Sequence, residues 1–438
     1  MLHLYNLPLF FILVGLVLYI VLAGADFGAG FWQLTAGGGP EGERLRNHAH
    51  ESIGPVWEAN HVWLIFVITV FWTAYPVAFG SIFSTLAVPL FLAAIGIILR
   101  GAAYALRAGA SSPREARSID MLFSISSIVT PFALGTVVGA LAAGRVPVGN
   151  AAGDMFTSWL NPTAIVIGLI GVTSAAYLAA VFLSADAVRL AEPDLAERFR
   201  VRALAAGTVA GALAVVGLVV LHGDAHRLFH RLIAGPGLPA LIVSILAGVA
   251  ALGLVVGRRY APARYVAAIA VTAVIAGWAV AQNPILLPRL TVQQAAAPHD
   301  TLVTVVIAVL VGGAILFPAL GLLFSLVLRG RFDHGPAPEA AIRASDTAPA
   351  TPVSGRMILA ATTDGLLGRI ALGCLIAGFG FLTVADAPWA HAIGVVALVA
   401  FVIVGFAYVE PARLAQGGGD GAGAAGPAPP APPPVTRR

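Results

Sequence analysis

The sequence predicts an all-α fold, a polytopic transmembrane bundle of about eleven spans, and three observations carry that prediction. The chain is 59% hydrophobic and 11% charged, with a mean hydropathy of +0.90, whereas soluble domains carry roughly a quarter charged residues. Apolar runs of about 20 residues recur along its whole length. The connections between those runs alternate between Arg-rich and Arg-poor, as loops sorted across a membrane do.

In chain order, the first run is Leu7–Gly28; it lacks the basic leading segment of a cleaved signal and is long enough to span, so it reads as a retained helix. Ser52–Tyr75, Val77–Leu99, Met121–Ala143, Ala164–Leu183, Ala203–Leu221, Leu238–Val256, Tyr265–Ala281 and Thr301–Leu328 follow, and complete a nine-helix membrane domain over residues 1–328. Residues 329–365 are polar and contain Pro336, Pro338, Pro349 and Pro352, so a cytoplasmic linker is expected there. Leu366–Thr383 and His391–Tyr408 form a two-helix extension over 366–409. The Gly/Ala/Pro-rich tail, 410–438, has too little apolar surface to order itself and is expected to be disordered.

Every basic residue is Arg, and 21 of the 25 fall in one alternating set of connections, from Arg44 and Arg46 to Arg437 and Arg438. The opposite set holds only Arg145, Arg227, Arg231 and Arg289. Because cytoplasmic loops retain basic residues, the N-terminus is expected outside and the C-terminus in the cytoplasm. The same pattern explains the net charge of +4 without a nucleic-acid partner. Cys374 is the only cysteine, which excludes an intrachain disulfide or a Cys-based metal cluster. There is no P-loop, Rossmann glycine pattern or nucleophile elbow, and no fixed-period repeat or pair of interrupted helices of the transporter kind.

Chemistry concentrates in GPVWEANHVWLIF, Gly54 to Phe66. At 3.6 residues per turn, Trp57, Glu58, Asn60 and His61 share an arc of about 160°, a polar stripe on an otherwise apolar helix. An ionisable group at membrane depth costs roughly 2.5–3.5 kcal/mol on insertion scales, so Glu58 needs a partner or water. Asp26 near the inner end of the first span and Arg100 at the inner end of the third are expected in the same layer. A desolvated carboxylate beside a guanidinium suits proton uptake; a static Glu–Arg pair that locks helices is the plainer alternative. His61 has no obvious second axial partner for a haem. The segment HGDAHRLFH carries i, i+4 histidine spacing, but Arg227 and Arg231 beside it favour a solvated amphipathic turn over a metal site. Trp57 and Trp63 suit either a quinone ring or an interfacial anchor.

Three stretches, LYIVLAGADFGAGFWQL at Leu18–Leu34, GPVWEANHVWLIF at Gly54–Phe66 and PLFLAAIGIILRGAAYALR at Pro89–Arg107, resemble subunit II of the cytochrome bd family of quinol oxidases. The resemblance implies a haem-free subunit II of a quinol:oxygen oxidoreductase in a bacterial cytoplasmic membrane. It also implies a partner subunit I that carries b- and d-type haems and takes electrons from the quinol pool, and a small accessory helix subunit in relatives. Glu58 then stands at a position proposed for proton delivery, with Asp26, Asn60, His61 and Arg100 along the path and a structural quinone near Trp57 and Trp63. One departure is plain: the family's Asp-Gly-Phe-Asp is Ala-Gly-Ala-Asp at Ala23–Asp26. A secondary transporter and a purely structural membrane scaffold are the other readings. The two extra spans are expected on the flank where the accessory helix sits.

Overall fold

The structure is a computed structural model, and it describes residues 3–51, 57–107, 112–328, 366–384, 389–390, 393–401 and 404. After a short 3-10 turn, the helices are α1 (Leu7–Leu34), α2 (Gly39–Glu51), α3 (Trp57–Ala74), α4 (Pro76–Thr85), α5 (Ala87–Arg107) and α6 (Pro113–Ala142). They continue as α7 (Pro162–Arg189), α8 (Pro193–Asp224), α9 (His226–Ile233), α10 (Leu238–Val256), α11 (Tyr260–Gln282), α12 (Val292–Ala295) and α13 (His299–Leu328). A two-stranded antiparallel hairpin, Ile285–Leu287 with Leu290–Thr291, precedes α12. Among the described residues, eight helices are long and apolar enough to cross a membrane, and Asn60–Ala74 of α3 is a shorter apolar one. The chain is therefore a multi-pass membrane protein. A separate unit begins at His334, within which α14 (Leu366–Val384) coincides with the tenth expected span. The expected linker 329–365 and tail 410–438, and residues 391–392, 402–403 and 405–408 of the span expected at His391–Tyr408, lie outside the described residues.

Two expectations need correction. The span expected at Val77–Leu99 is broken: α4 ends at Thr85, Leu86 leaves helical geometry (φ −100°, ψ 28°) and α5 restarts at Ala87. Hydropathy reads straight through this joint because both pieces are apolar. Prolines set the breaks, since Tyr75, before Pro76, is held out of helical geometry (φ −138°, ψ 61°), while Pro89 falls in the first turn of α5, where a missing N–H costs nothing. The connection expected to be loop after the first span contains α2. That helix turns Leu45, His48 and Ala49 inward and exposes Glu41, Glu43 and Arg44. Arg44 pairs with Glu192 at 2.6 Å and Glu41 with Arg198 at 2.6 Å, pinning α2 to the start of α8.

α1 is the hub, packing against α3, α6, α7, α11 and α13. Its glycines allow this closeness: a Cβ at Gly28 would overlap the Ala175 carbonyl of α7, and one at Gly30 would overlap Ser127 of α6. Small residues at such crossings are how membrane helices gain contact, because lipid supplies no hydrophobic drive between them. Trp32 fastens the α1–α7 crossing by donating its Nε1–H to the Ala176 carbonyl at 2.8 Å. The two largest apolar clusters lie one around Leu45, Tyr177, Phe199 and Tyr260 near α2, the other around Tyr75, Leu86, Trp159 and Leu287 near the hairpin.

Candidate functional site

Between those clusters lies a buried polar centre, built where α1, α5 and α6 meet. Asp26 and Arg100 are 5% and 2% exposed. Arg100 Nη1 donates to Asp26 Oδ2 at 2.6 Å, and Nη2 donates to Asp26 Oδ1 and, at 3.1 Å, to the Asp26 carbonyl. Nε donates to Ser127 Oγ at 2.9 Å. The guanidinium carbon also lies 4.9 Å from the Phe27 ring centre and 4.6 Å from that of Phe123, within cation–π range. A planar fork matched bidentately to a carboxylate, with the remaining donor on a hydroxyl, is the arrangement that lets an ion pair leave water.

The pair is deeper in the helices than hydropathy implies. Gly28 and Leu99, the expected ends of the first and third spans, are interior residues of α1 and α5, which run on to Leu34 and Arg107. Asp26 is eight residues, about 12 Å of rise, from the end of α1. Ser127 and Phe123 went unpredicted, although their signal is readable: Ser124, Ser126, Ser127 and Thr130 interrupt an apolar helix, and all four are buried.

Beside the pair stands the stripe of α3. Asn60 is 0% exposed, and among the described residues neither its Nδ2 nor its Oδ1 has a hydrogen-bond partner. The His61 ring lies 6.4 Å from that of Tyr19 and 6.5 Å from that of Phe27, centre to centre. The buried hydroxyl of Tyr19 is likewise without a partner among the described residues. Trp63 packs with Tyr19, Ala23, Phe27 and Ala175, and stacks on Phe317 of α13 with centres 6.1 Å apart. The structure thus brings Asp26 to Arg100, and His61 to the Tyr19 and Phe27 rings of the same α1 face. The side chains of Trp57 and Glu58 lie outside the described residues.

Residues 4–327 match the family model of cytochrome bd terminal oxidase subunit II. The chain belongs to that family. Curated relatives are similar over shorter stretches. A cytochrome bd ubiquinol oxidase subunit 2 of Bacillus subtilis is 28% identical over 31% of this chain and 40% of its own length. A putative cytochrome bd menaquinol oxidase subunit II of the same organism is 21% identical over 53% of this chain and 67% of its own. Cytochrome bd-I ubiquinol oxidase subunit 2 of Escherichia coli is 27% identical over 37% and 44%. The matched stretch therefore spans less than half the length of two of these relatives. A chain of the bd oxidase structure from Geobacillus thermodenitrificans shares the fold, with a TM-score of 0.59, 23% identity, and coverage of 75% of this chain and 99% of that one.

In this subunit II-family chain the altered helix-one motif falls on packed ground. Ala23 is 1% exposed in a cluster with Tyr19, Phe27, Trp63 and Ala175. Asp26 is accordingly the only carboxylate of α1.

Proposed function

We propose that this chain is the haem-free subunit II of a quinol:oxygen oxidoreductase, set in a bacterial cytoplasmic membrane with its N-terminus outside. It holds the haem-bearing subunit I and contributes a proton path from the cytoplasm toward the partner's b- and d-type haems. Family membership supports the assembly. The observation that supports the path is Asn60, a fully buried amide whose donor and acceptor both lack protein partners among the described residues. Buried polar groups of this kind are satisfied by internal water, and a hydrated amide beside His61 and Tyr19 can relay a proton without itself ionising.

The roles divide accordingly. Glu58 takes up the proton, Asn60 and His61 line the relay, and the Asp26–Arg100 pair sets its electrostatics and holds α1 against α5. Trp57 and Trp63 are the residues for a structural quinone, of which Trp63 is 7% exposed and stacked on Phe317.

The test is a tagged pull-down followed by turnover. A haem-bearing partner should co-purify and show a visible spectrum, and Glu58→Gln should slow oxygen reduction and alter its pH profile. A colourless, self-associated preparation would point to a transporter. A coloured complex in which Glu58→Gln changes neither quantity would leave only the scaffold role.

A further inference from the structure

At the end of the bundle opposite α2, the joint between α8 and α9 carries three exposed histidines, His222, His226 and His230. The local fold explains their exposure: α9 buries Leu228 on its inner face, and so turns His226 and His230, four residues apart, to the same outer face. Their Nε2 atoms are 3.0 Å apart. His226 Nδ1 lies 3.2 Å from the His222 carbonyl oxygen. A carbonyl only accepts, so Nδ1 carries the proton there and the Nε2 of His226 presents a lone pair. This is the orientation that a backbone carbonyl gives to a metal-ligating histidine.

We infer that His226 and His230 form a two-histidine site for a divalent transition-metal ion that favours right-angled ligands, of the nickel or copper class. With metal–nitrogen bonds of about 2.0–2.1 Å, two nitrogens 3.0 Å apart subtend roughly 95° at the ion. That is the cis angle of square-planar and octahedral coordination. Tetrahedral zinc would need the two nitrogens to open to about 3.3 Å. Binding requires one local change: the proton that His230 Nε2 now shares with His226 moves to its Nδ1, so that both Nε2 atoms face the ion.

The surroundings set the ligand count and limit the affinity. Asp224 is held by Arg145 and by the Thr163 hydroxyl at 2.6 Å, so its carboxylate does not join. The His222 ring packs against Phe229 with centres 4.8 Å apart, and this residue contributes its carbonyl rather than its imidazole. Among the described residues no group of three or more His, Cys, Asp or Glu side chains converges here, so water completes the coordination. Arg227 opposes a cation, whereas Arg231 is drawn away, donating to the carbonyls of Ala281 and Asn283 at 2.7 Å each.

The experiment is equilibrium dialysis of the purified complex, carrying a histidine-free affinity tag, against Ni2+, with bound metal measured by elemental analysis. One Ni2+ per chain is expected in the wild type. His226→Ala and His230→Ala should each weaken binding by more than about 10-fold, since even the outer-shell partners of metal ligands are worth 10–100-fold. His222→Ala should bind as the wild type does, because its carbonyl survives. Ni2+ should also raise the melting temperature of the wild type and of His222→Ala, but not of the other two variants, whose metal-free melting should be unchanged. Equal Ni2+ binding by the wild type and His230→Ala would overturn the site, as would its loss in His222→Ala alone.

Discussion

Removing the Asp26 carboxylate strands a guanidinium in the bundle, and the size of the effect follows from the partners that Arg100 would lose. Asp26→Ala deletes the two carboxylate bonds and leaves the Asp26 carbonyl, the Ser127 hydroxyl and the two aromatic faces. Those remaining partners carry no net charge. At an effective dielectric of 20, opposite charges about 4 Å apart attract by roughly 4 kcal/mol, and breaking a buried pair from one side costs about 3–5 kcal/mol. Asp26→Ala should therefore destabilise by about that amount. Arg100→Met, which keeps much of the side-chain volume, should also destabilise, because it leaves the Asp26 carboxylate without its guanidinium partner. The double variant Asp26→Ala/Arg100→Met should be more stable than Asp26→Ala alone, because it removes the orphaned charge. Thermal melting of the solubilised complex, read as a double-mutant cycle, measures this coupling. Additive losses, with the double variant at the sum of the singles, would refute the pair as the clamp between α1 and α5.

Three further outcomes are expected. Gly28→Ala should lower the yield of assembled chain, since its Cβ would overlap the backbone of Ala175, whereas Gly24→Ala meets Leu178 Cδ1 at 3.4 Å and Ala175 Cα at 3.9 Å, ordinary contacts, and should be tolerated; overpacking of the Gly28 kind typically costs about 1–3 kcal/mol. Asp154, in the loop between α6 and α7, accepts from the amides of Phe156 and Thr157 and from the Thr157 hydroxyl, and these bonds hold its carboxyl below the usual aspartate range. Because the folded value is the lower one, the turn's added stability is fully present above the ordinary aspartate pKa of about 3.9 and is lost as pH falls through the folded value. Protection of the Phe156 and Thr157 amides, measured against their intrinsic exchange rates at each pH, should be present at neutral pH and lost in strong acid, and should be absent at both in Asp154→Ala. Ala23→Asp, which would recreate the family's first carboxylate, should destabilise the complex measurably on melting, because it buries a charge among apolar rings.

How far the sequence discloses this molecule depends on which force acts at each point. The spans were legible because lipid demands long apolar helices with internally satisfied backbones, and hydropathy measures that demand directly. Helix ends were not: α6, α7 and α8 extend by polar or mixed turns into water, where burial no longer governs the pattern. α2 was missed for a related reason. Its mean character is polar, and only the spacing of Leu45, His48 and Ala49 marks the face it buries. That Asp26 and Arg100 share a layer was readable from their places in the first and third spans, but the pairing was not, because Glu58 was the carboxylate for which a partner was sought. The polar run of α6 marked the face that Ser127 occupies but not its partner, since a serine in a membrane helix usually satisfies itself on the preceding turn, as Ser127 also does by donating to the Phe123 carbonyl at 2.6 Å.

The contrast between the saturated pair and the unsatisfied amide bears on where a proton can travel. Asp26 has both carboxylate oxygens committed to Arg100, so protonating it would break the strongest contact between α1 and α5; a carrier held that way would have to unlock the bundle on every turnover. Asn60 has the opposite character, with its hydrogen-bonding capacity unused by the described residues in a fully buried position. In the proposed path the fixed dipole of the pair therefore biases proton affinity nearby while the proton moves along the α3 stripe. Asn60→Leu separates the two roles. It replaces a buried amide lacking protein partners with an apolar group of similar size, a change that is neutral or stabilising in a purely structural centre. Unchanged or higher melting together with slower oxygen reduction is the expected result, measured on the same purified complex. Unimpaired turnover in Asn60→Leu would remove the relay and leave α3 as packing alone.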